Sequence, residues 1–343
     1  MMERWAREQG KRPPLHVMNI MAANTPAGTD FMEVVDGVMT AYGFRDCGVG
    51  KKFGHLESLP WREFRRSRRP FLPYLRNAEI TVPVDTENKI SLPHAETYRR
   101  CLSPEEERWI YYGCLLQGAK GVAHWLYTAQ REDDFNEIKQ PVLRLGLGAA
   151  ALGRCWQYRV RAETVEMLQA TWDEIGRCNA EWRAIEDLIA VSDVSDRAQV
   201  AECDPATGPD GRTAASASAL LAGLDGMVVV VLNQNVNRTS LNNTEPSQFT
   251  PTEVTVDVRV PSWLDPVDTF RVSHEGLTDL APERLSKQVL RFRGTVQVND
   301  LIVIGGPGMK HEIAGKLDRM QSLLKQARAA HPTHTGDESP YKN

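Results

Sequence analysis

The sequence predicts an α/β region, then an antiparallel β region, then one terminal helix, within 343 residues. Three observations lead there. Short apolar runs alternate with helix-like segments up to Ile189. Past Asp196 the pattern becomes a series of short strand-like runs separated by Gly, Pro, Asn and Asp. Lys310 to Ala330 then returns to helical periodicity. The length suits about two domains. The expected divisions are 1–195 for the α/β part, 196–305 for a β-sandwich, and 306–343 for a helix with a polar, disordered tail.

The α/β elements can be justified in order. LHVMNIMA (Leu15 to Ala22) follows Pro13-Pro14 and is long enough for a buried strand. Asp30 and Glu33 have capping-box spacing ahead of a second apolar run, Gly37 to Tyr42, which Gly43 ends. Leu59 to Arg69 is basic and reads as a solvent-facing helix. A third extended run, from Pro70, ends near Arg76-Asn77-Ala78-Glu79. Ser103, Pro104 and Glu106 give the clearest helix start in the chain: a capping residue, a proline at the first helical position and the acid of a capping box. Gly118 can end that helix, and the compact apolar run Ala119 to Tyr127 follows at once, which is the rhythm of parallel α/β units. Glu163 to Ile189 is long and charged, with a stripe of Leu168, Trp172, Ile175, Trp182, Ile185 and Leu188. The Gly-rich stretch before it lacks the lysine and hydroxyl residue of a phosphate loop, so it reads as structural.

In the β region, GMVVVVLNQNV is one of the short strand-like runs, and TVDVRV alternates as a half-exposed strand should. Asn233 to Pro251 is polar and reads as a loop.

Composition narrows the function classes. A formal net charge of -4 gives no global attraction for nucleic acid or an anionic membrane. No apolar run reaches the roughly 20 residues that span a bilayer. No signal peptide is recognised at the start, and the natural N-terminus is expected to lie upstream. Six scattered cysteines include no CxxC pair, so no metal site is expected and the thiols read as packed side chains.

The run Arg99 to Tyr127, with its capped helix, GAKG turn and apolar strand, resembles the last helix–strand unit of β-galactosidase-like, clan-A glycoside hydrolase barrels. Thr171 to Ile189 is similar to their closing helix, VVDGVMTAY to a strand ending in Tyr, and the β region to the C-terminal domain such enzymes carry. The resemblance implies a partial (β/α)8 barrel, roughly strands five to eight, followed by an antiparallel β-sandwich and a C-terminal helix. Counting back from Ala119–Tyr127 as strand eight leaves Pro70–Glu79 as seven, Gly37–Tyr42 as six and Leu15–Ala22 as five. A complete barrel takes about 250 residues, so strands one to four are not accounted for.

Glycosidases of this kind need two carboxyl groups flanking the scissile bond. The resemblance implies Glu79 as the nucleophile, Asn77 as a donor to a sugar hydroxyl, and Tyr42, Trp125 and Tyr127 as aromatic faces for a sugar ring. It assigns no residue to the acid/base, so this chain alone is expected to be inactive. His124 reads as a packed residue, having no Ser or Cys partner arrangement. The expected partners are carbohydrate and a chain or segment supplying the first barrel half. Exposed strand edges would favour self-association. No cofactor is expected. Two rival readings stand beside this one: a non-catalytic carbohydrate-binding or assembly protein, and an unrelated α/β enzyme.

Overall fold

The computed structural model describes residues 17–20, 37–43, 71–76, 79–83, 100–124, 129–135, 140–146, 148, 162–223, 226–237, 239 and 245–330. Before residue 100 the description is of backbone alone. The architecture is mixed α/β, with mostly antiparallel sheets and few helices.

The N-terminal part holds the parallel pairing. Strands β1 (Val17–Ile20), β2 (Gly37–Gly43), β3 (Phe71–Arg76) and β5 (Ala123–His124) lie side by side in chain order, every neighbouring pair parallel. Parallel neighbours need long crossovers, and helix α1 (Pro104–Leu116) lies between β3 and β5 in the chain. Its start is fixed as the sequence predicts. The Ser103 hydroxyl accepts from the Glu106 N–H, the Glu106 carboxylate accepts from the Ser103 N–H, and Pro104 occupies the first turn. Its end is a Schellman motif: the Ala119 N–H reaches the Cys114 carbonyl, and the Gly118 N–H reaches that of Leu115. Gly118 sits at φ 91, the left-handed region where a side chain would be strained.

The extended run expected from Pro70 to Glu79 is divided. Strand β3 stops at Arg76, opposite Gly43 at the end of its partner, and β4 (Glu79–Pro83) opens a different sheet. That sheet is antiparallel, ordered β4-β7-β6, with β6 at Ala129–Phe135 and β7 at Gln140–Gly146. The sequence reading missed it. The start of the stretch taken as a Gly-rich connection is a strand, because Val142, Leu143 and Leu145 pair with β4. The segment Glu163 to Ile189 also forms two helices rather than one, α2 (Ala162–Ala184) and α3 (Glu186–Val191), separated at Ile185. The basic stretch 59–69, the Asp30–Glu33 pair and the tail from His331 lie outside the described residues.

From Asp193 two antiparallel sheets face each other. One has six strands, in the order β16-β15-β19-β11-β10-β8, and the other four, in the order β17-β18-β14-β9. The six-stranded sheet uses β8 (Asp193–Ser195), β10 (Ala215–Leu221), β11 (Gly226–Asn233), β15 (Asp268–Ser273), β16 (Gly276–Asp279) and β19 (Asn299–Gly305). The four-stranded sheet uses β9 (Ala198–Asp204), β14 (Thr252–Arg259), β17 (Glu283–Ser286) and β18 (Val289–Val296). A two-residue pairing of β12 (Val236–Asn237) with β13 (Gln248–Phe249) interrupts the stretch expected to be a loop.

The six-stranded sheet is buried on both faces. Val228, Val230, Leu301 and Val303 join a core with α1, α2, α3 and the last helix, α4 (Met309–Ala330). Met227, Val229, Val231, Ile302 and Ile304 join a second core with Val254, Val256, Val258, Leu290 and Phe292 of the four-stranded sheet. The alternation of a strand divides one apolar run between two cores. Each fully buried valine contributes about 1.5–3 kcal/mol of transfer free energy. Strand β14 alternates because only one of its faces meets a core.

Candidate functional site

The parallel sheet aligns its strand ends. Tyr42 pairs with Leu75, and Leu75 with His124, so these three form one row at the C-terminal edge. Strand-end rims are where α/β sheets place binding and catalytic groups. Glu79 does not end β3. It lies three residues beyond Arg76 and opens β4 opposite Gly146, so the positional match that implied a nucleophile is looser than the sequence suggests. For Tyr42 and Glu79 only the backbone is described, and Asn77, Trp125 and Tyr127 lie outside the described residues.

The His124 side chain packs against α1. Its ring stacks on Tyr111 of α1 with centroids 5.8 Å apart, and its Nδ1 lies 3.6 Å from Glu107 Oε1. Glu107 has no exposed surface, and neither of its oxygens nor either ring nitrogen of His124 makes a hydrogen bond. Burial, with the charges of Glu174 and Glu106 behind it, pushes the Glu107 carboxyl up to about 8. Burial also pushes His124 down to about 4. A separation of 3.6 Å makes an ion pair only when both groups are charged. The two shifts instead favour the neutral acid beside the neutral imidazole.

One helical position further on, the opposite arrangement holds. Arg108 reaches both oxygens of Glu181 on α2, each at 3.0 Å, and its Nε donates to Glu174. Glu181 also accepts from the Tyr112 hydroxyl and from the His274 backbone N–H at 2.8 Å. Burial alone would raise the Glu181 pKa. Hydrogen bonding from His274 and the charge of Arg108 outweigh it, and the carboxyl lies below the usual carboxylate range. This network joins α1, α2 and the turn between β15 and β16. It ties the α/β part to the antiparallel sheets.

Sequence reasoning missed these groups. Glu107 and Arg108 sit inside the run EEER, where the capping box explains Glu106 and draws attention from its neighbours. Glu174 and Glu181 carried a legible signal: spaced seven apart with Cys178 between them, they share one helix face.

A glycosidic carboxyl must reach its substrate. Glu107 is sealed and Glu181 has its oxygens occupied, so neither carboxyl is open to a ligand. Among the described residues no group of three His, Cys, Asp or Glu is placed to hold a metal ion. Cys101, Cys114, Cys178 and Cys203 are free thiols, the first three buried. No described helix is long and apolar enough to cross a membrane.

No protein-family model matches the chain, and neither does any curated protein sequence. Solved structures that superpose on it include a cycloisomaltooligosaccharide glucanotransferase from Paenibacillus sp., complexed with cycloisomaltoheptaose. That match has 8% identity and a TM-score of 0.41, covering 84% of this chain and 55% of the other. A GH30 endoxylanase from Clostridium papyrosolvens C71 matches with 9% identity and a TM-score of 0.34, covering 83% of this chain and 52% of the other. The chain spans about half the length of either protein.

Proposed function

We propose that the chain is carbohydrate-active: part of a glycoside-hydrolase-like protein that acts on β-linked sugars. In this reading the parallel sheet is strands five to eight of a (β/α)8 barrel and the facing sheets are an accessory β-sandwich. One observation carries the reading. Four strands lie in chain order with every pairing parallel, and among the described residues every strand pairing beyond β5 is antiparallel. Sequential parallel order is what barrel closure demands of neighbouring strands.

The sugar would meet the C-terminal rim, at Tyr42, Asn77, Glu79, Trp125 and Tyr127. The His124 side chain packs against α1. Glu79 is the candidate nucleophile. The acid/base and strands one to four would come from a further segment or a second chain.

The assay uses aryl β-glycosides and the chain supplemented with the first barrel half. Glu79→Gln is expected to abolish turnover while leaving the melting temperature unchanged. Equal turnover by the two proteins would remove Glu79 from the mechanism. Turnover by the chain alone would overturn the half-barrel reading. One observation favours a non-catalytic, sugar-binding role instead: Glu79 opens a strand of a separate sheet rather than ending β3. Sugar binding without turnover in the supplemented protein would select that role.

A further inference from the structure

Glu107 and His124 meet at the end of β5 with both carboxyl oxygens and both ring nitrogens buried and without a protein partner. The Glu107 side chain has no exposed surface. Its Oε1 lies 3.6 Å from His124 Nδ1, which is too long for a direct hydrogen bond. Buried polar side chains as a rule keep a partner, because burial strips their water and something must replace it. A polar contact longer than about 3.5 Å is where a bridging water fits.

The strong polar groups around the pair are already engaged. On α1, Glu106 accepts from the Ser103 N–H, from Arg100 and from the Ser247 N–H. The Tyr111 hydroxyl, on the ring that stacks on the imidazole, donates to Asn179 Oδ1. On α2, Glu174 accepts from Arg108, from Arg177 and from the Cys178 thiol. The two groups also match each other chemically. Burial pushes Glu107 up to about 8 and His124 down to about 4, so between those values both are neutral. A neutral carboxyl has one hydroxyl to donate, and a neutral imidazole has one nitrogen to accept. Water can take the first bond and supply the second. The reverse order would leave the acid hydroxyl, the stronger donor, without an acceptor.

We propose that one buried water molecule bridges Glu107 and His124, accepting from the Glu107 carboxyl and donating to His124 Nδ1. The bridge fixes the imidazole in the tautomer protonated at Nε2. It ties the first turn of α1 to the last residue of β5, in the row with Leu75 and Tyr42. A sealed site with polar partners on two elements is the usual setting of a buried structural water. The proposal needs no catalytic role for Glu79 and no sugar at the rim.

The test is NMR of the full chain, labelled with nitrogen-15 at histidine, at a pH between the two values. His124 should show a bare accepting Nδ1 and a protonated Nε2. Water-selective experiments should transfer magnetisation from a long-lived water to the His124 ring protons. Glu107→Leu should abolish that transfer and let both tautomers appear. Glu107→Gln, whose amide can still donate to the water, should retain it. A proton on Nδ1 in the unaltered chain would overturn the proposal, as would the absence of any water transfer there. Transfer that persists in Glu107→Leu would overturn it too. The first two readings come from the unaltered chain, so they decide the matter even if a variant fails to fold.

Discussion

Glu107 and Glu181 are both buried carboxyls at the junction of α1 and α2, and they are opposites. Glu181 is held by the Arg108 fork, the Tyr112 hydroxyl and the His274 N–H, and it stays ionised. Glu107 has no hydrogen-bond partner and is neutral at ordinary pH. Burial is nearly the same for the two. The number and charge of donors decide the protonation state, because desolvation acts against both carboxylates and only Glu181 has a cation within reach.

The largest expected effect breaks the comparison by pH. The Glu107 pKa rises from 4.5 to about 8 on folding. The folded chain therefore keeps this proton where the unfolded chain loses it. Its contribution to stability is fully present below pH 4.5 and is lost as pH rises through about 8, a change on the order of 5 kcal/mol. Denaturant titrations from pH 5 to pH 9 should show this decline in the unaltered chain and lack it in Glu107→Gln. Parallel profiles would mean that Glu107 is not buried as a lone acid. His124 acts in the opposite sense, since its pKa falls from 6.5 to about 4. Its contribution is lost as pH drops below 6.5, so the two groups together confine the stable range from both sides.

Glu181→Ala should come next. It leaves the Arg108 guanidinium without its bidentate partner in a nearly dry site, and breaking a buried pair from one side costs about 3–5 kcal/mol. Unfolding free energies at pH 6 measure this directly. A loss below about 1 kcal/mol would show that solvent reaches the network. Arg108→Lys sharpens the point. A lysine keeps the charge but cannot form the fork to Glu181 or reach Glu174 in the same geometry, and it should cost about half as much as Glu181→Ala. Tyr112→Phe removes one hydroxyl from a carboxylate that keeps its other donors. It should be the mildest, about 1 kcal/mol or slightly more. If Tyr112→Phe costs more than Arg108→Lys, the hydroxyl rather than the guanidinium holds Glu181.

The sequence by itself determined the local decisions. The Ser103-Pro104-Glu106 signal set the start of α1, Gly118 set its end, and the change of period near Ser195 marked the start of the two facing sheets, although not the antiparallel β4-β7-β6 sheet before it. The run GMVVVV announced a strand, and the alternation of TVDVRV a half-exposed one. These are properties of a few neighbouring residues, and hydrogen bonding or burial period fixes them locally. Tertiary structure decided what depends on partners distant in sequence. The division at Arg76, with Glu79 passing to another sheet, follows from pairing with Leu145 and Gly146, which no pattern around residue 79 encodes. The unequal fates of Glu107 and Glu181 follow in the same way. Whether a buried carboxyl meets Arg108, Tyr112 and His274, or only the neutral face of His124, depends on how α1, α2 and the β15–β16 turn are brought together in space.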